Sequence, residues 1–382
     1  MLKSSVRATI IRVINFGKNS NIERAFTIGE NSISYVNMSS MNSPALSKTY
    51  LLIGQGITGS VLAWCLLKAG HRVVIVDANH HEASSIISAG IRNPITGQRL
   101  AVTPQFDLFA AHADSMYSQI SAELGSIFFI PKPIIRVLRN HEEVKRCRYL
   151  NTLPSAQPYI GGIHPEGYYG KAIHDPFGTL TISRGGYFQT QLLLKALKKY
   201  FIERKMLVEE HFVYDDLKLI DQEVVWKSQR FDAVIFCEGF KAKQNPWFKE
   251  LPYNFAKGEL LKIAFDSHAL PDAILCQQQW CLPALDGTYL AGATYDRLNI
   301  DTMTTPEGQA AILKGLSDFI PATARVLERY AAVRPVMLNQ KPVVAMHPSI
   351  PRLGIFNGFG SKGFLWAPYY AETFGQQLCS SL

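Results

Sequence analysis

Gly54, Gly56 and Gly59 stand in the spacing G-x-G-x-x-G, and Asp77 follows 23 residues after the first of them. Glycines so spaced let a backbone approach phosphates, and a carboxylate at that distance can hold ribose hydroxyls. The elements that must position them are legible on either side. Tyr50 to Ile53 are apolar and read as a strand. Ser60 to Gly70 reads as a helix, and Val73 to Val76 as a second strand ending at Asp77. Gly54 lets the chain turn sharply out of the first strand. Gly56 leaves room for a pyrophosphate, and Gly59 lets the helix pack close to the sheet. The helix N-terminus then presents free N–H groups and partial positive charge to an anion. Strand, turn, helix, strand and acid agree on a dinucleotide site. A membrane span over Tyr50 to Leu67 is the poorer reading, because three glycines, Gln55, Thr58 and Ser60 interrupt the run.

The 382 residues suffice for two domains or one large interrupted one. At 47% hydrophobic and 18% charged, the composition is that of a globular enzyme and excludes a disordered chain. Cys65, Cys147, Cys237, Cys276, Cys281 and Cys379 show no C-x-x-C spacing, which argues against a zinc site or disulfide framework and fits a reducing, cytoplasmic location. No metal site is expected. No Ser-His-Asp, H-E-x-x-H or Walker pattern is present.

Half of the net charge of +8 falls in residues 1–48, where Lys3, Arg7, Arg12, Lys18, Arg24 and Lys48 face Glu23 and Glu30. The remainder carries about +4, too little to point to nucleic acid. The extension itself has three readings. Translation starts at Met38 or Met41; or the segment addresses an organelle; or it is a disordered tail. On each, deleting residues 1–40 should leave bound-dinucleotide content and melting temperature nearly unchanged, and a large drop in either would mean that the segment packs on the fold.

Downstream, Ala78 to Arg99 reads as a long loop. Helices are expected at Phe106 to Leu124, Glu142 to Leu150, Gln189 to Phe201, Pro306 to Phe319 and Phe364 to Leu378. Strands are expected at Phe128 to Leu138, Met206 to Glu209, Glu223 to Lys227, Phe231 to Cys237, Phe255 to Phe265, Thr288 to Tyr295, Ala331 to Pro335, Val343 to Met346 and Leu353 to Asn357. Tyr159 to Gly186 reads as short antiparallel strands and turns. The chain ends, as it begins, in strand, glycine loop and helix. The fold class is therefore α/β, with α+β character overall: a discontinuous Rossmann-like domain (48–126, 185–245, 332–382) carrying an inserted antiparallel β-rich substrate domain (127–184, 246–331), after an extension over 1–47 that is disordered or mis-started.

From about Lys48 to its end the chain resembles the D-amino-acid oxidase–glycine oxidase family of FAD-dependent oxidoreductases. Matching blocks occur in order: GQGITG with Asp77, Ser84-Ser-Ile-Ile-Ser-Ala-Gly90, Gly185-Gly186-Tyr187, Phe231-Asp-Ala-Val-Ile-Phe-Cys-Glu-Gly239 and Ala256-Lys-Gly258-Glu-Leu-Leu. The tail is the most specific. Arg334-Pro335, Lys341-Pro342 and His347-Pro348 precede Gly358-Phe-Gly-Ser-Lys-Gly363-Phe-Leu-Trp-Ala-Pro368, a series similar to that of glycine oxidases.

The resemblance implies FAD, held by Gly54, Gly56, Ile57, Thr58, Gly59, Asp77, Ala78, Ser85, Ala89, Gly90, Ile91, Val213, Gly239, Gly358, Gly360, Ser361, Lys362, Gly363 and Phe364. No flavin-attaching His or Cys has a match, which implies non-covalent FAD. It implies that Arg334 pairs with a substrate carboxylate, a contact suited to a planar, permanently charged guanidinium. Tyr295 is implied to face the active site, as pocket wall or as ordinary core. Lys257 and Lys362 are candidates for a cation beside the flavin, or else exposed lysines. Val336-Met-Leu-Asn-Gln340 replaces the family's Thr-x-Asp, making this wall more apolar.

The implied reaction oxidises the C–N bond of an amino acid or secondary amine by hydride transfer to flavin N5, with the carbon about 3–3.5 Å away, and hydrolysis of the imine. Oxygen or another acceptor would reoxidise the flavin; nothing suggests a membrane. The alternative is a flavin-dependent oxidase acting on carboxymethylaminomethyl-uridine in tRNA. A non-catalytic or NAD-binding Rossmann protein is the third possibility, and would purify colourless.

Overall fold

The computed structural model describes residues 47–220, 223–266 and 269–381; the extension over residues 1–46 lies outside them. The first strand, Thr49–Ile53, is flanked in parallel by Arg72–Asp77 and Ala233–Phe236. Leu207–Glu209 extends the sheet on one side. Leu353–Asn357 extends it on the other, followed by an antiparallel edge strand, Val343–Met346. Strands from the front, middle and end of the chain thus form one six-stranded sheet. Neighbours lie on both sides of the first strand, so a crevice opens at its carboxyl end, where open α/β sheets bind ligands.

The helices Ile57–Lys68 and Gly363–Ser381 pack together on this sheet, burying Val61, Leu62, Trp64, Phe356 and Phe374. Pro368 lies inside the second helix and cannot donate to the Phe364 carbonyl four residues back. The buried Tyr117 hydroxyl donates to that carbonyl instead, at 2.9 Å. The helix therefore continues across a proline without an unsatisfied acceptor.

A second, eight-stranded sheet runs from Ala324–Arg334 at one edge to Ile160–His164 at the other. It is antiparallel except where Ile274–Cys276 runs parallel to Ile134–Val137. The ten-residue strand Ala256–Phe265 pairs along its length with Ala324–Arg334, which puts Ala256 opposite Arg334. The α/β class with Rossmann-like and β-rich parts is as the sequence predicts.

Several boundaries differ. The expected strand Phe128 to Leu138 is two strands in different sheets, Phe129–Pro131 and Ile134–Val137, because Pro131 and Pro133 lack N–H donors. Phe231 to Cys237 divides at Asp232 into Gln229–Phe231 and Ala233–Phe236. The first helix starts at Ile57, earlier than Ser60. The arginine strand starts at Ala324 rather than Ala331, its first half carrying exposed Arg325 and Glu328 at the sheet edge. Ile274–Cys276 and Trp280–Pro283 were not foreseen, since polar Gln277 to Gln279 separate two very short runs.

Candidate functional site: a dinucleotide cleft and a half-buried guanidinium

A cleft of about 540 Å³ opens at the carboxyl ends of Thr49–Ile53, Arg72–Asp77 and Ala233–Phe236. Gly54 leaves the first strand with φ of +105°, and a Cβ there would stand 2.6 Å from the Cys237 carbonyl oxygen. A Cβ on Gly59 would collide with the Gly54 carbonyl. Both glycines are required by the fold itself. Gly56 is different. Its φ is an ordinary −66°, and an added Cβ would meet only the Ser85 side chain, with Oγ at 3.2 Å. Its bare backbone faces the cleft.

The Asp77 carboxylate is braced by the backbone. Gln55 N–H donates to Oδ2 and Asn79 N–H to Oδ1, each at 2.7 Å. Each oxygen keeps acceptor capacity for a further donor such as a ribose hydroxyl. The first helical amide, Ile57 N–H, donates to Ser85 Oγ at 3.1 Å. An anion-seeking helix terminus, an open glycine and a fixed carboxylate in one cleft fit an adenine dinucleotide.

Of the residues predicted to hold the cofactor, Gly54, Gly56, Ile57, Thr58, Asp77, Ala78, Ser85, Gly239, Gly360 and Gly363 line the cleft. The others stand behind or beside it. Gly59 lies in the first turn of the helix against the Gly54 backbone, and Gly358 packs on Met337. Gly90 packs against the Phe188 backbone, and Ile91 pairs with Tyr187. Ala89 is half-buried against the core. Val213 is half-exposed, although Phe212 and Tyr214 on either side of it line the cleft. Ser361 and Lys362 lie in the short turn Gly360–Lys362, and Phe364 stacks on Phe188. The Lys362 ammonium sits 5.0 Å from the Trp366 ring, and burial lowers its pKa. Lys257 is fully buried and salt-bridged to Asp301 at 2.6 Å, which occupies its charge. Sequence reasoning missed Glu238, Tyr214, His80 and Lys241, which also line the cleft. The signal for Glu238 was a charged residue closing a buried apolar strand.

Arg334 ends the edge strand, one residue before the cleft-lining Pro335. Its Nη1 donates to the Lys257 and Thr294 carbonyls, both at 3.2 Å. The guanidinium lies 5.4 Å from the Tyr295 ring, with Arg297 at 5.3 Å from the same ring. Burial lowers the Arg334 pKa, while Tyr295 acts in the opposite direction. Among the described residues no carboxylate pairs with it. A desolvated guanidinium held by two neutral carbonyls retains donors for an incoming anion. Gly258 makes the space: a Cβ there would run into the guanidinium. Gly258→Ala should therefore keep bound flavin but displace Arg334. On the carboxylate-pairing role that the resemblance implies for Arg334, crowding of about 1–3 kcal/mol should slow flavin reduction by an amino acid by about tenfold or more. Unchanged anaerobic reduction rates would show that the guanidinium relaxes without consequence.

Fold and cleft define a dinucleotide-binding oxidoreductase. The chain belongs to the FAD dependent oxidoreductase (DAO) family, whose profile matches residues 49–377. It is 24% identical over 340 residues to glycine oxidase from Bacillus subtilis, covering 83% of this chain and 89% of that one. It is 29% identical over 188 residues to the tRNA 5-methylaminomethyl-2-thiouridine biosynthesis bifunctional protein MnmC from Marinobacter nauticus, covering 44% of this chain. That match spans 30% of the length of the Marinobacter protein. In fold, the chain is similar to glycine oxidase from Bacillus cereus, with TM-score 0.73, 20% identity and coverage of 87% and 95%. It is also similar to FAD-bound L-alpha-glycerophosphate oxidase from Mycoplasma pneumoniae, with TM-score 0.71, 16% identity and coverage of 88% and 95%. The cofactor is FAD, and the chain is an FAD-dependent enzyme. No helix among the described residues is long and apolar enough to cross a membrane.

Proposed function

We propose that this enzyme oxidises the C–N bond of an amino acid or secondary amine that carries a carboxylate. The observation behind this reading is Arg334, a half-buried guanidinium one residue before the cleft-lining Pro335, with no acidic partner among the described residues. Bound FAD supplies the acceptor for the hydride that leaves the carbon next to nitrogen. The chain's own residues bind and orient. Gly54 to Thr58, Asp77 and Ser85 hold the cofactor without a covalent link, and the loop Gly358 to Gly363 closes round it. Arg334 fixes the substrate carboxylate through a two-pronged contact, so that the adjacent carbon is presented to the flavin in one orientation. Tyr295 forms the outer wall. Loss of the amine proton then leaves an imine, which water splits into an oxo acid and either ammonia, from an amino acid, or an amine, from a secondary amine. The test is product analysis after a single anaerobic turnover: one oxo acid and one ammonia or amine per flavin reduced.

A second reading rests on exposed apolar side chains in the segment that begins with Tyr295, the ring beside Arg334. Tyr295 is 55% exposed, Leu298 91% and Met303 70%. An exposed aromatic ring there can stack on a base and so accommodate a large substituent on nitrogen. This reading places the amine on a carboxymethylaminomethyl-uridine of tRNA, in keeping with the likeness to the Marinobacter protein. Modified tRNA reducing the flavin faster than any free amino acid would favour it.

A further inference from the structure

The cleft contains an ionisable group that dinucleotide binding alone does not call for. Glu238 lies between Cys237 and Gly239 at the carboxyl end of the strand Ala233–Phe236, and it lines the cleft. Its backbone abuts the first glycine: a Cβ on Gly54 would stand 3.6 Å from Glu238 Cα. Both carboxyl oxygens are held. The Tyr214 hydroxyl donates to Oε1 at 2.6 Å, and Asn245 Nδ2 donates to Oε2 at 2.9 Å. Both donors are neutral. The nearest cation on the same segment, Lys241, instead contacts His80 Nε2 at 2.5 Å.

A carboxylate in the wall of an anion-binding cleft, with no cation paired to it among the described residues, bears the repulsion of whatever negative charge arrives. FAD brings a pyrophosphate to this cleft. We propose that Glu238 is the proton-accepting group of the cofactor cleft: its carboxylate takes up one proton as FAD binds, and so ties flavin affinity to pH.

The electrostatics agree with that geometry. Burial pushes the Glu238 carboxyl up to about 7, against the lowering influence of Tyr214, Asn245 and Lys241. Cys237, Tyr214 and Tyr253 face it and are themselves pushed upward, so they stay neutral near pH 7. Asp77 and Glu82 act on Lys241 from beyond it. His80 feels burial first, then Lys241 and His211, with Asp77 and Glu82 opposing. Its pKa is lowered, so it titrates on the acid side of Glu238.

The sign follows. Below about 7 the empty cleft already carries the proton, and FAD binds without uptake. Above it the empty cleft is ionised, and the complex regains the proton. Affinity is therefore greatest at and below about pH 7 and falls as pH rises, by up to about tenfold per pH unit where uptake is complete.

The test is calorimetric titration of apoprotein with FAD between about pH 6 and 9, in buffers of different ionisation enthalpy. Proton uptake should be near zero at the acid end and pass through a maximum above neutrality. Glu238→Gln should bind FAD with no uptake and a Kd that no longer rises with pH. Tyr214→Phe removes a donor that favours the charged form, so it should move the maximum to higher pH; this variant decides the matter if Glu238→Gln does not fold. Wild-type uptake in Glu238→Gln, an unmoved maximum in Tyr214→Phe, or uptake confined to the acid side of neutrality would each overturn the assignment.

Discussion

Arg334→Ala is expected to keep FAD and a normal flavin spectrum while losing most of its reduction by amino acids. The guanidinium is held by two carbonyls and by the Tyr295 ring, none of which belongs to the cofactor-lining glycines. Truncating one partner of a buried charge pair costs on the order of 2–5 kcal/mol. That corresponds to a loss of about thirtyfold to a few thousandfold in the reduction rate at low substrate. Arg334→Lys should recover only part of it, because an ammonium cannot make the planar two-pronged contact. Anaerobic stopped-flow reduction in the three proteins checks this. An equal loss with an amine lacking the carboxylate would assign Arg334 to the scaffold or to the flavin.

Gly56→Val should abolish flavin binding in a protein that still folds. The backbone at Gly56 suits any residue, and the only neighbour an added Cβ meets is the mobile-ended hydroxyl side chain of Ser85. A branched side chain would instead fill the space the pyrophosphate needs. Two lost charge-assisted hydrogen bonds from the helix terminus, at roughly 1.5–3 kcal/mol each, imply affinity weaker by about a hundredfold or more. Substitution at Gly54 should behave differently, since its positive φ and the Cys237 carbonyl make it a stability position. The measurements are flavin absorbance per protein after dialysis and the melting temperature of the apoprotein. Wild-type flavin content in Gly56→Val would reduce all three glycines to structural roles.

Much of this was legible in the residues because local pattern and tertiary role coincide. A strand, a glycine turn and a helix within thirty residues are enough to place Asp77 beside the helix terminus, and the structure puts its carboxylate on the Gln55 amide. Arg334 drew attention through its Pro335 and the glycine loop that follows, and its role at the site is a proposal. The failures have physical causes as well. The edge strand from Ala324 mixes exposed and half-buried residues and shows no apolar run, so only its buried end at Ala331 to Val333 announced itself. Phe128 to Leu138 looks like one strand because periodicity ignores the donors that prolines remove.

The chemistry around the cleft was less legible than its frame. Glu238 meets Tyr214 from 24 residues earlier and Asn245 from 7 residues later, and no spacing rule connects the three. Lys257 shows the converse. A lysine in a family-like block suggests a role at the flavin, but its bond to Asp301 comes from a loop 44 residues downstream. Gly258, unremarkable in sequence, is what gives the Arg334 guanidinium its place.

The central claim is that the enzyme's FAD is reduced by an amine whose carboxylate is held at Arg334. It is tested most directly by mixing holoenzyme anaerobically with a matched pair of amines, an N-substituted glycine and the same amine with its carboxylate replaced by a methyl group. Full bleaching of the flavin band by the glycine derivative, with little or none by its partner, is the predicted result. Bleaching by both at equal rates, or by neither across a series of nitrogen substituents, would contradict it.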